Sequence, residues 1–315
     1  MLRHWSSHFR SFISPPCANA LTRSPKSTSS RSHQPIMAIR REDQSVWERR
    51  APLAPNHVRK LVRQGVKVLV QPSNRRAYPM KSYQNAGALI QEDITDASLI
   101  IGVKRVDSID SLLPDKTYCF FSHTIKAQEA NMPLLDMIIE KNIRLIDYEK
   151  MVDKNGARVV AFGKWAGVAG MINILHGLGI RLLALGHHSP FMYIGPAHNY
   201  RSSSMAKQAF RDAGYEISLG LMPKSMGPLT FVFTGSGNVS QGAQEMFQEL
   251  PFEYVDPKDL PKVATHGAMN KLYACVVSRG AHYVRKDGGS FDAEEFANHP
   301  ERYSSTFAQK LSAWH

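Results

Sequence analysis

Cysteine is scarce. The chain has three, Cys17, Cys119 and Cys275, far apart and with no CxxC pair. That argues against a disulfide framework and against a zinc site built on paired thiols, and it suits a reducing compartment. No zinc-finger spacing and no aromatic–basic RNA motif is present. No internal repeat occurs. Acidic residues are absent from the first 37 positions, which carry Arg3, Arg10, Arg23, Lys26 and Arg31. Taking those five from the net charge of +12 leaves +7 for the rest. By charge alone, that surplus suits nucleic acid or small anionic substrates equally. Without a nucleic-acid motif, small anions are the expected partners.

The opening "MLRHWSSHFRSFISPPCANALTRSPKSTSSRS" also lacks the continuous apolar stretch of a secretory signal. Its Arg- and Ser-rich, acid-free composition is that of a mitochondrial transit peptide, expected over 1–32, with a basic disordered tail as the alternative. A chain of 315 residues then suggests about two domains.

From Ile36 onward the pattern alternates. "PIMAIRRE", "VKVLVQP", "ASLIIGVKR", "TYCFFSH", "IRLIDYE" and "RVVAFG" read as strands. "PNHVRKLVRQG" and "AQEANMPLLDMIIEKN" read as amphipathic helices. This alternation predicts an α/β domain with a mostly parallel sheet over 33–220. "WAGVAGMINILHGLGIRLLALG" is apolar enough to suggest a membrane span. Its Arg181, His176 and glycines at 167, 170, 177 and 179 instead favour a buried helix packed closely against a neighbour, and no membrane segment is expected.

The stretch "TFVFTGSGNVSQGAQ" runs from a strand through a glycine turn into a helix. It predicts a Rossmann-like dinucleotide-binding domain over 221–315, truncated by the end of the chain about 80 residues past the loop. Gly235 would make the turn, Gly237 would admit a pyrophosphate, and Asn238, Val239 and Ser240 would open the helix against it. Ser240 stands where a third glycine is usual, and Gly242 follows. Asp256, 21 residues after Gly235 at the end of "FEYVD", is placed to bind a ribose hydroxyl, which favours NAD.

In the first domain, charged residues fall at strand ends, where parallel sheets bind ligands. Lys104 ends "IIGVK", and His123 and Lys126 follow "FFS". Lys104 and His123 suit acid–base work. Arg49 and Arg50, before the first helix, suit carboxylate binding. Singly, Arg49 and Lys126 could be surface ion pairs and His123 a satisfied buried histidine; as a strand-end set they predict a site.

At these residues the chain resembles the lysine–2-oxoglutarate reductase part of the aminoadipic semialdehyde synthases. Those belong to a wider group of saccharopine dehydrogenases and alanine dehydrogenase/transhydrogenase-like proteins. "REDQSVWERRAPLAP", "FFSHTIKAQEANM", "RLIDYEKMVD", "RVVAFGKWAGVAGMINILHGLG" and the glycine-loop stretch carry the resemblance from about Ala38 to about Leu311. It implies condensation of L-lysine with 2-oxoglutarate and reduction of the imine by NADPH to saccharopine, in the mitochondrial matrix. It implies catalytic roles for Lys104 and His123, substrate contacts from Arg50, Lys126 and Arg158, and a tuning role for Glu149. Asp256 sits uneasily with NADPH, since it would repel a 2′-phosphate unless Lys258 or Lys262 compensates.

The resemblance also implies further chain beyond His315. The expectations are an exposed sheet edge, poor stability and little or no activity. Two alternatives stay open: an inactive chain acting only through association with other subunits, or an alanine dehydrogenase-like oxidoreductase that needs no lysine. Association with copies of itself is open in either case.

Overall fold

A right-handed parallel sheet needs strand, crossover and strand in turn, and the chain supplies this from its first described residues. The computed structural model describes residues 34–308. The expected transit segment, Cys17 and the last seven residues lie outside the described residues. Strands β1 (Ile36–Ile39), β2 (Lys67–Val70), β3 (Leu89–Ile90), β4 (Leu99–Lys104), β5 (Thr117–Phe121) and β6 (Arg144–Asp147) form one sheet in the order β3-β2-β1-β4-β5-β6. Every pairing in it is parallel.

Helices α1 (Pro55–Arg63), α2 (Met80–Gln84) and α3 (Met132–Glu140) make crossovers. Helix α1 starts on Pro55, whose missing N–H costs nothing at a first turn, and stops before Gly65, which takes φ +88°. Apolar residues fill both faces of the sheet, with Ile100, Phe120 and Leu134 on one side and Ile39, Val68 and Tyr83 on the other. The strand order reverses between β1 and β4. Their carboxyl ends, at Arg40 and Lys104, therefore border the crevice where such sheets take ligands.

"RVVAFG" does not form the expected strand. Arg158 makes only an isolated antiparallel bridge with Val152. The Asp153 carboxylate accepts the Asn155 and Ala157 amides and turns the chain back before it can join β6. Val159 and Phe162 are left exposed.

The long helix α4 (Gly163–Ala184) and α5 (Ser203–Ser218) follow. Next come β7 (Thr230–Thr234), α6 (Asn238–Phe247), β8 (Phe252–Tyr254), α7 (Leu260–His266) and β9 (Leu272–Val277). A short helix α8 (Arg279–His282) leads to β10 (Tyr283–Arg285), α9 (Ala293–Asn298) and β11 (Tyr303–Ser305). Strands β7, β9 and β8 form a second parallel sheet in that order, and β10 pairs with β11 antiparallel.

Leu175 of α4, and Phe210 and Ile217 of α5, share one apolar cluster with Phe233, Phe247 and Leu272. Both helices therefore pack on the second sheet. Among the described residues, α4 is the one helix long and apolar enough to cross a membrane. Here Val168, Met171, Leu175 and Leu182 are buried. Gly167 faces α6 so closely that a Cβ on it would stand 1.8 Å from the Val239 carbonyl oxygen.

Candidate functional site

The strand-end residues converge on one carboxylate. Strand β5 ends at Phe121, and Ser122, fully buried, donates to the Asp147 carboxylate at the end of β6. The next residue, His123, takes the left-handed conformation at φ 58°, and Ala127 does so at φ 49°. Such φ values are uncommon without glycine and mark a tightly constrained turn. The turn brings His123 Nδ1 within 3.3 Å of Glu149 Oε2 and Lys126 Nζ within 3.3 Å of Oε1. The loop that stands in place of the expected "RVVAFG" strand returns Arg158 Nη1 to within 3.4 Å of Oε1. Asp147 fixes the carboxylate's backbone by accepting the Glu149 amide at 2.8 Å.

Burial works against the charge on Glu149, but hydrogen bonds from Lys126 and His123 outweigh it and hold the carboxyl below its ordinary range. An ionised carboxylate only accepts, so it holds the proton on His123 Nδ1 and leaves Nε2 as the basic nitrogen.

Lys104 stands beside this cluster, its Cα paired with that of Phe121 across β4 and β5. A register shift separates Ile101 from Lys104 and takes the Val103 and Lys104 amides out of the ladder. Glu42 captures both, at 2.7 and 3.0 Å. Gly102 makes room, since a Cβ there would stand 3.0 Å from Arg40 Cδ and 3.2 Å from Glu42 Oε1. Burial raises the Glu42 carboxyl above its ordinary value, against the pull of Arg40. The Lys104 ammonium forms no ion pair among the described residues. It lies near enough to Glu48 to favour that carboxylate's charge.

Glu48 holds Arg50 by both oxygens, at 2.9 and 2.7 Å. The Arg50 guanidinium lies 5.4 Å from the Phe162 ring centroid. Phe162 packs on Phe121, which stacks on the His123 ring at 6.3 Å. Arg50, His123, Lys126, Glu149 and Arg158 are thus linked by contacts, with Lys104 on the adjoining strand end.

Gly163, the residue after Phe162, borders a second feature: an open cavity of about 1050 Å³ over the carboxyl ends of β7 and β9. Gly235, Gly237, Asn238, Val239 and Ser240 all line it. Gly235 takes φ +82°, which a side-chain-bearing residue resists. A Cβ on Gly237 would project into open space, the position a phosphate would need. Helix α6 begins there with no side-chain cap, leaving its first amides available. These residues fit a dinucleotide pyrophosphate.

Asp256 does not join them. Strand β8 lies beyond β9 rather than beside β7. The Asp256 carboxylate accepts the Lys258 amide at 3.1 Å, 3.7 Å from the Lys258 ammonium, and does not line the cavity.

Glu42, Glu48 and Phe162 escaped the sequence reading. The two acids sit inside charged strings, "RRED" and "WERR", where a buried acceptor looks like solvated charge. Their closeness to Arg50 and to the strand ends was the available signal.

Fold and site together define an α/β protein pairing a cationic strand-end crevice with a dinucleotide-type glycine loop. Residues 38–169 match the family described as alanine dehydrogenase/PNT, N-terminal domain. Over 282 residues the chain is 65% identical to the mitochondrial alpha-aminoadipic semialdehyde synthase of Mus musculus, covering 90% of this chain and 30% of that protein. It is 40% identical over 297 residues to the alpha-aminoadipic semialdehyde synthase of Arabidopsis thaliana, covering 89% and 28%. A saccharopine dehydrogenase [NAD(+), L-lysine-forming] of Candida glabrata is 27% identical over 263 residues, covering 81% and 68%. The chain thus spans about 30% of the length of the synthases it matches.

Proposed function

We propose that this chain carries the lysine–2-oxoglutarate reductase site of a mitochondrial, matrix-located enzyme, with NADPH as cofactor. The convergence of His123, Lys126 and Arg158 on Glu149, beside Lys104, carries this reading. In this division, residues 33–220 supply the substrate side and 221–315 the nucleotide loop, with α4 and α5 docked on the nucleotide side. Residues 1–32 serve as the transit peptide.

The joined substrates bring three carboxylates. Arg50, Lys126 and Arg158 are each about half exposed, so the donors that Glu48 and Glu149 do not engage remain open to ligand. The lysine ε-amine must lose a proton before its nitrogen attacks the keto carbon of 2-oxoglutarate. The resulting hydroxyl must gain one to leave as water. His123 Nε2 and the Lys104 ammonium are the pair suited to those transfers, one accepting and one donating. Glu149 keeps the imidazole in the tautomer and orientation the work needs. When bound, NADPH supplies the hydride that saturates the imine carbon. The balance is lysine, 2-oxoglutarate, NADPH and a proton giving saccharopine, NADP⁺ and water.

The test is NADPH oxidation by the chain with lysine and 2-oxoglutarate together and each omitted in turn. The reading requires oxidation only with both, lost in Lys104→Met and His123→Ala. Oxidation without lysine would support the alanine dehydrogenase-like alternative instead.

A further inference from the structure

The strand beside the glycine loop is not the one that follows it in sequence. Strand β7 pairs along its length with β9, from Thr230 opposite Tyr273 to Thr234 opposite Val277. The Gly235 amide donates to the Val277 carbonyl at 2.7 Å, tying the turn to the end of β9. In dinucleotide folds of strand order 3-2-1-4, the residue that meets the adenine ribose ends strand 2, one of the two neighbours of the phosphate-loop strand. Here β9 is the described neighbour of β7, and Ser278 and Arg279, which follow it, both line the loop's cavity.

The charge around that cavity is one-sided. No Asp or Glu lines it, and Arg279 is the one Lys or Arg that does. An NAD-binding site of this kind places an acid on the ribose hydroxyls, and this cavity offers none. Arg279 is exposed and forms no ion pair among the described residues. Its guanidinium lies 6.0 Å from the Phe296 ring centroid, a contact that restrains it without neutralising it. By contrast, Arg285 is bound to Asp287 and Glu295, and Lys258 is occupied by Asp256. A free planar guanidinium beside a hydroxyl matches the oxygens of a phosphate monoester.

We propose that Ser278 and Arg279 form the subsite for the ribose 2′-phosphate and make the site selective for NADPH over NADH. This rests on the reading that the cavity binds a nicotinamide dinucleotide. It also explains how the chain takes NADPH despite Asp256, which stands one strand too far away.

The test is direct binding of NADPH and of NADH to the full chain, by coenzyme fluorescence, for the wild type, Arg279→Ala, Arg279→Lys and Asp256→Ala. NADPH is expected to bind more tightly than NADH. Arg279→Ala should weaken NADPH roughly 10- to 100-fold, the worth of a charge-assisted pair, with NADH moving less than about twofold. Arg279→Lys should keep part of the preference, and Asp256→Ala should leave it unchanged. NADH binding as tightly as NADPH, or Arg279→Ala weakening both alike, would overturn the subsite while leaving the dinucleotide site standing. A wild-type chain that binds neither would overturn the dinucleotide reading and the subsite with it.

Discussion

Gly242 of α6 lies so close to Lys164 of α4 that a Cβ on it would stand 2.0 Å from the Lys164 carbonyl oxygen. Gly167 makes the reciprocal approach to Val239. This crossing holds the helix that opens on the phosphate cavity against the helix that begins beside the strand-end cluster. An alanine at either position drives a methyl into backbone, which cannot rotate away. Gly242→Ala and Gly167→Ala should each cost about 1–3 kcal/mol or more, read as a lower denaturation midpoint. They should also weaken nucleotide binding, because α6 must shift. An unchanged midpoint would mean the helices are not this close.

Glu42 caps the two amides freed by the irregularity in β4, and so positions Lys104. Glu42→Leu leaves one buried and one half-buried N–H group without acceptors, at about 1–3 kcal/mol for the buried one and less for the other. The variant should lose stability on that scale and most of its activity. Glu42→Gln keeps one good acceptor and should fall between. Equal stability of all three proteins would refute the capping role.

The ion cluster on Glu149 gives stability a definite pH dependence. The folded carboxyl sits below its ordinary value of 4.5. Its contribution is therefore complete above that value and is lost as pH falls through the depressed folded value. Melting curves of the wild type and Glu149→Gln should draw together as pH falls below the ordinary carboxyl value of 4.5. A gap that widens below that value would contradict the assignment.

Glu149 also orients His123. Glu149→Ala should lower kcat by roughly 10- to 100-fold, part of what a positioned acid–base group supplies. Its effect on KM for 2-oxoglutarate should be smaller than that of Arg158→Ala. The split between kcat and KM separates orientation from substrate binding.

The parallel sheet was legible because its strands are short apolar runs broken by amphipathic helices, and five of the six strand ends fell where the pattern put them. The failure at "RVVAFG" has a local cause, the Asp153 turn, which outranks β propensity. The order of the second sheet was not legible. "LYACVV" was passed over as a strand, and nothing local says it lies between β7 and β8. That omission left Asp256, which does not line the glycine-loop cavity, as the acid the spacing offered for the ribose. Gly242 looked like a displaced third glycine, while its role in a helix crossing depends on α4, some 75 residues earlier in the chain. At the site, the cations were readable from their positions after strands. The carboxylate that gathers them comes from the resemblance alone, because a hub shows itself in contacts rather than in spacing.

The central claim is that the strand-end cluster and the glycine-loop cavity form one reducing site for a lysine–2-oxoglutarate adduct. The most direct measurement is mass spectrometry of the product formed from lysine, 2-oxoglutarate and NADPH deuterated at the transferable C4 position. The account predicts saccharopine carrying one deuterium, on the carbon that was the keto carbon of 2-oxoglutarate, and none from His123→Ala. Deuterium appearing instead in an amino acid formed without lysine would contradict it.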